Sequence, residues 1–231
     1  MLVVSNIDLP IDLPLMQPSA FLETSIKDFT LNINNDYRYL KIGYYVSLHA
    51  EILGNKVIPS SANIIDAYRT PIFLLRAMKA GIRTTPFLVT SSVKQIISEL
   101  NFPVVVFAVN PFSYEGFRIA ENRSALYRAV KSLSMNYKFA VCAQPLLGKM
   151  LTVKSIFGRS ATEKDIGEIA KKVYQVFNIP LCNLHVQRVG KDAYLCGLQP
   201  LKQKEISAND LEVICKEIKR IFIDNGGCLV G

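Results

Sequence analysis

Hydrophobic positions along the chain alternate between strand-like and helix-like spacing, which predicts short strands interleaved with amphipathic helices. A first strand is expected near Leu2 to Val4, followed by a segment punctuated by Pro10, Pro14 and Pro18. Leu40, Tyr44, Leu48 and Ile52 recur every fourth residue before Gly54, predicting a helix over about 36–53 with a glycine stop. A strand begins at Lys56-Val57-Ile58. Thr70 and Pro71 supply an N-cap and a first-turn proline for a helix that runs to Gly81. Residues 82–89 are expected to be extended and 92–100 helical. The β-branched run 102–109 is apolar on both faces and is expected to lie inside a sheet.

Farther along, Asn122 caps a helix with the inner stripe Leu126, Ala129, Val130 and Leu133, and strands follow around 139–143 and 151–157. The strongest helical pattern starts at Thr162, with Asp165 three residues on as a capping box. It buries Ile166, Ile169, Ala170, Val173, Tyr174 and Phe177. Residues 181–189 and 193–198 form a strand pair about Gly190-Lys191-Asp192. A last helix opens at Ser207 with Asp210, packs Leu211, Ile214, Cys215, Ile218 and Phe222, and stops at Asn225-Gly226-Gly227.

The chain has 231 residues, half of them apolar, which excludes fibrous and disordered classes. Its 27 basic and 19 acidic side chains give a net charge of +8, but the cations are scattered, and no nucleic-acid arm is apparent. Five widely spaced cysteines suit reduced thiols. With no signal-like start and no apolar run long enough for a membrane span, a cytoplasmic protein without membrane or nucleic-acid partners is expected.

The segments DAYRTPIFLLRAMKAGIRTTPFLV, FPVVVFAVNPFSYEGFRIAENRSALYRAV and VCAQPLLGKMLTV follow one another in an order that resembles the ATP-grasp carboxylate-amine ligases. The forms most similar are the D-alanine-D-alanine ligases and the RimK-type amino-acid-adding ligases. GYYVSLHAEILGNKVIPS further resembles the lobe preceding the grasp in RimK-like proteins. The resemblance covers roughly residues 40–225 and implies an α+β fold: an ATP-grasp-like two-lobe unit over 86–231, its smaller lobe 86–147 and its larger lobe 148–231. A small α/β pre-ATP-grasp-like domain over 1–85 precedes it.

In that family two lobes close on ATP, a carboxylate is phosphorylated, and an amine displaces the phosphate. Such chemistry needs lysines and magnesium against the triphosphate, and magnesium needs anionic oxygens. Where the resemblance implies a phosphate-binding lysine after the central strand, this chain has Phe107 and then Ala108; a second lysine is replaced by Ala67 after Asp66. The glycine-rich cover loop becomes Pro111-Phe112-Ser113-Tyr114-Glu115-Gly116, and the acidic residues expected around the adenine hinge become Ala143-Gln144 and Met150. The metal-bearing pairs align with His185 and Gln187 and with Gly197 and Gln199, and a neutral amide offers magnesium one oxygen without offsetting its charge. The direct run from Gly158 to Thr162 omits a substrate-binding segment of the relatives.

Other chemistry is weaker. Cys182-x-x-His185 with Cys196 has zinc-ligand types, but on a strand residues three apart face opposite ways. A cysteine nucleophile with His49 or His185 as base lacks a local signature. Tyr37, Tyr39, Tyr44 and Tyr45 with Arg38 and Lys41 could stack on a ring, but at helical spacing such residues more often straddle a core boundary. Lys131, Lys138, Lys149, Lys171 and Lys172 fall where solvated lysines belong, whereas Lys154 alternates with Thr152 and Ile156 and is a candidate substitute for a lost phosphate contact.

The expectation is thus an ATP-grasp-like protein that has lost ligation and acts by binding, with no cofactor, its partner an active ATP-grasp paralogue, another protein or a small ligand. Its candidate vestigial nucleotide cleft comprises Phe107, Gln144, Leu146, Lys154, His185, Gln187 and Gln199, with no catalytic or metal-ligating residue assigned. The alternative is a divergent ATP- and magnesium-dependent ligase that adds an amino acid or peptide.

Overall fold

The computed structural model describes residues 1–110, 112 and 116–225. Strands β1 (Leu2–Ser5), β2 (Leu15–Met16), β3 (Thr30–Ile33) and β4 (Val57–Ile58) form a parallel sheet in the order β2-β1-β3-β4. β1 and β3 are buried along their whole length, as a parallel sheet covered on both faces requires. Leu2 and Val4 pack toward α1 (Pro18–Leu22) and α2 (Ile42–Ile52) with Phe21, Val46 and Ala50, while Val3, Leu31 and Ile33 join the main core. Helices α3 (Ser61–Ala67) and α4 (Thr70–Lys79) carry the chain onward, and Ile64, Phe73 and Leu74 enter that core.

The second sheet is antiparallel: β5 (Leu88–Thr90), β6 (Val104–Ala108), β7 (Phe117–Ala120) and β8 (Val141–Pro145), ordered β5-β8-β6-β7, so the β-branched run does lie inside it. Val104 and Val106 pack under α5 (Val93–Glu99) and α6 (Arg123–Leu133), while Val105, Phe107 and Cys142 face the main core. The third sheet is β11-β10-β9, from β9 (Lys149–Ile156), β10 (Leu181–Val189) and β11 (Asp192–Gln199). His185 pairs with Gly197 and Val186 with Leu195, which leaves Cys196 as an extra residue in a bulge. One face of β10, Cys182, Leu184 and Val186, is buried in a core shared with Ile166, Ala170 and Val173 of α7 (Lys164–Phe177); α8 (Ala208–Asp224) contributes Ile214 and Ile218.

Several local expectations need correcting. The helix predicted over 36–53 starts only at Ile42, and Leu40 (φ 66°) and Ile52 point outward. The buried face is instead Gly43, Tyr44, Val46, Ser47 and Ala50, because the Asn32 amide of β3 reaches the Gly43 carbonyl (2.6 Å) and the Ser47 hydroxyl (2.8 Å) and draws that small-residue side inward. Thr70 is the first helical residue of α4, not its cap, and Arg69 precedes it without a side-chain cap. The cap of α7 is Glu163, also without a side-chain bond, because the Asp165 carboxylate is held by the Arg188 guanidinium. Of residues 82–89 only Leu88 onward forms a strand, with Thr84 making an isolated bridge to Leu195; β2, α1, β3, α3 and β7 have no counterpart in the sequence expectations. The asparagine cap of α6 with its four-residue stripe, and the Ser207–Asp210 capping box of α8, are as expected.

Candidate functional site

The candidate cleft residues divide into three groups. The first is a hinge clamp. Gln144 on β8 is fully buried; its Oε1 accepts from the Thr85 hydroxyl and its Nε2 donates to the Cys196 carbonyl at the β11 bulge (2.8 Å). Gln187 on β10, also fully buried, accepts the Leu147 N–H at 2.7 Å and donates to the Pro145 carbonyl at 3.0 Å. Leu146 donates its N–H to the Pro103 carbonyl (2.9 Å) and packs its side chain on the main core. These amides are spent on joining the second and third sheets through the segment 144–147, since a buried amide must be paired.

The second group is an aromatic plug. The Phe107 ring, on the face of β6 turned toward the third sheet, lies 5.4 Å from the Phe117 ring and 6.0 Å from the His185 ring, and His185 sits edge-on to Phe117 at 4.7 Å. Gly197 opens the space for it: a Cβ there would stand 2.8 Å from Phe107 Cε1, so a side chain at 197 would require the ring to shift. His185 is 1% exposed; its Nδ1 meets the Thr152 hydroxyl at 3.2 Å, while Nε2 has no hydrogen-bond partner. Burial pushes this imidazole from 6.5 down to about 4, against a smaller upward influence of the Gln199 amide, so it is neutral at pH 7.

Lys154 stands apart. Its ammonium donates to the Glu205 carbonyl (2.6 Å) and pairs with Asp210, the capping carboxylate of α8. Burial alone would raise the Asp210 pKa, but the bonds from Lys154 and Ser207 outweigh it and hold this carboxyl below the usual range.

The open space lies elsewhere. A cavity of about 470 Å³ sits where the loop after β3, the α3–α4 junction, the ends of β6 and β11 and the start of β7 meet. Of the sequence-predicted cleft residues only Gln199 lines it; Phe117 separates it from His185. Among the described residues its charged lining is Asp36, Arg38, Arg69 and Lys202, with Asp36 gripped by Arg38 through Nε (3.0 Å) and Nη2 (2.7 Å). Tyr39 also lines the cavity, whereas Tyr37 is buried with its hydroxyl bonded to Asn32 and Asn34. Tyr68, Arg69 and Lys202 carry no functional motif in the sequence; the one local signal is the Tyr-Arg pair immediately before a helix-starting Thr-Pro. Pro111, Ser113, Tyr114 and Glu115 of the expected cover loop lie outside the described residues, as do Gly226, Gly227 and Cys228.

Other chemistries fare as follows. Cys182 points into the core while His185 faces the second sheet, and among the described residues no group of three or more His, Cys, Asp or Glu side chains is placed to hold a metal ion. The residues at the aligned magnesium positions do not fit that ion: a buried neutral imidazole, an amide already bonded, a glycine, and a single amide at the cavity edge. Burial raises the thiols of Cys142 and Cys182 to about 12 and that of Cys196 to about 11, which keeps these three protonated at neutral pH. His49 is bonded to the Thr24 carbonyl at 3.0 Å and stacked edge-on against Phe21.

Compared with known proteins, residues 19–217 match the family model of the RimK-like ATPgrasp N-terminal domain. The chain belongs to that family. Among solved structures, it is similar to a RimK domain protein ATP-grasp from Sphaerobacter thermophilus (TM-score 0.65, 13% identity, covering 92% of this chain and 96% of that one). It is likewise similar to a D-alanine–D-alanine ligase from Bacillus anthracis (TM-score 0.66, 13% identity, 98% and 100%) and to one from Helicobacter pylori (TM-score 0.60, 14% identity, 83% and 70%). At this identity the likeness establishes the ATP-grasp ligase-like α+β fold. No curated protein matches the chain. Among the described residues, no helix of this family member is long and apolar enough to cross a membrane.

Proposed function

We propose that this chain is an ATP-grasp-like protein that acts by binding a small ligand or protein partner and does not ligate. The observation that carries the reading is that the Phe107 ring occupies the space that a side chain at position 197 would need. The resemblance would put a phosphate-binding lysine at the first position and a metal carboxylate at the second. Here one is an aromatic ring and the other must remain glycine for that ring to fit. A carboxylate at 197 would need the Phe107 ring displaced or replaced, and the neighbouring His185 and Gln187 supply no negative charge. A divergent ligase would need a replacement cation, yet Lys154, the candidate, is paired with Asp210 and the Glu205 carbonyl. The test is ADP release from MgATP by the intact chain across a broad panel of amino acids and peptides. None above the no-protein rate is expected, and acceptor-stimulated release would overturn the reading.

A further inference from the structure

The 470 Å³ cavity has the size of a small-molecule site and a wall unlike that of the plugged cleft. Asp36 and Arg38 neutralise each other in a two-point ion pair. The other charged lining residues among those described are cationic: Arg69, whose guanidinium makes no ion pair or hydrogen bond with any described residue, and Lys202, whose ammonium forms no ion pair among them. Arg69 also stands at the N-cap of α4, a ten-residue helix whose first turn has no side-chain cap, so the positive end of the helix adds to the same wall through Thr70.

One buried polar group borders this space without a partner: Tyr68 lines the cavity, and its hydroxyl has no hydrogen-bond partner among the described residues. Buried polar groups are rarely left unpaired, so this hydroxyl adds to the case for a ligand-receiving role.

We propose that this cavity holds a small oxyanion-bearing molecule, a carboxylate or a phosphate ester, directly on Arg69, Lys202 and the first turn of α4, with no metal ion between them. A guanidinium presents paired donors to either oxyanion, so protein cations supply the charge that the neutral 185, 187, 197 and 199 positions cannot obtain from magnesium. Phe117, Leu198 and Leu201 give the rest of the molecule an apolar wall. The assignment rests on the proposal that the chain does not ligate.

The test is calorimetry and thermal shift on the intact chain with inorganic phosphate, with glutarate, and with uncharged glutaramide, each in EDTA and in magnesium. Saturable binding of phosphate, glutarate or both is expected, equal in EDTA and magnesium, with no response to glutaramide. Binding of phosphate alone assigns a phosphate ester, and binding of glutarate alone a carboxylate. Arg69→Gln and Lys202→Gln, both at exposed residues, should each leave the unliganded melting temperature unchanged and weaken binding, Arg69→Gln by at least ~10-fold. Lys172→Gln, on the outer face of α7, should leave affinity as it was. The assignment fails if neither anion binds, if binding needs magnesium, or if it survives both cavity substitutions. ADP release from MgATP would instead overturn the non-ligating reading, so the two failures are distinguishable.

Discussion

At position 197 the presence or absence of one carbon decides what the inter-sheet space can contain. Gly197→Ala would bring a methyl group to 2.8 Å from the Phe107 ring, and a packed core with no room to yield should lose about 1–3 kcal/mol of stability. Urea denaturation measures this, and adding Phe107→Leu should recover part of the loss because the two residues contact each other. His185 gives a second prediction, with a defined sign. Its folded-state pKa, about 4, lies below its unfolded value near 6.5, so between these pH values the unfolded chain binds the extra proton. This contribution is complete above about pH 6.5 and is lost as pH falls toward 4, amounting to roughly 2 kcal/mol by pH 4.5. Unfolding free energies at pH 7 and 4.5 should therefore differ by that much more in the natural chain than in His185→Asn. Asp165 and Asp210, whose pKa values are lowered, contribute their own losses mainly at lower pH, outside this window.

At the scale of elements, the β8–β10–β11 junction depends on two glutamine amides. Gln187→Leu would leave the Leu147 N–H and the Pro145 carbonyl without their partners, costing about 1–3 kcal/mol, and amide exchange should speed up at Leu147. The same scale shows what the sequence could reveal. The α6 stripe and the Ser207–Asp210 box are legible because periodicity and cap chemistry agree with the local backbone. The face of α2 is not, since a buried asparagine on β3 sets it and no local pattern reports that contact. Nor is the cap of α7, where Asp165 suits a capping box by spacing but is claimed by Arg188, twenty-three residues away.

For the whole molecule, the order of elements and the family were legible because many segments agree at once. The site was only partly so. The aligned positions group Phe107, His185 and Gln187 in a candidate cleft, but they do not reveal that these side chains fill the space between the sheets, nor that the cavity lies beyond Phe117. Placing Arg69 and Lys202 on one wall requires segments more than a hundred residues apart in sequence to meet, which no local spacing encodes.

The central claim, that this ATP-grasp fold does not engage the magnesium nucleotide, is tested most directly by titrating the intact chain with MgATP in a calorimeter. The account predicts no magnesium-dependent heat. A saturable isotherm that disappears on adding EDTA would contradict it.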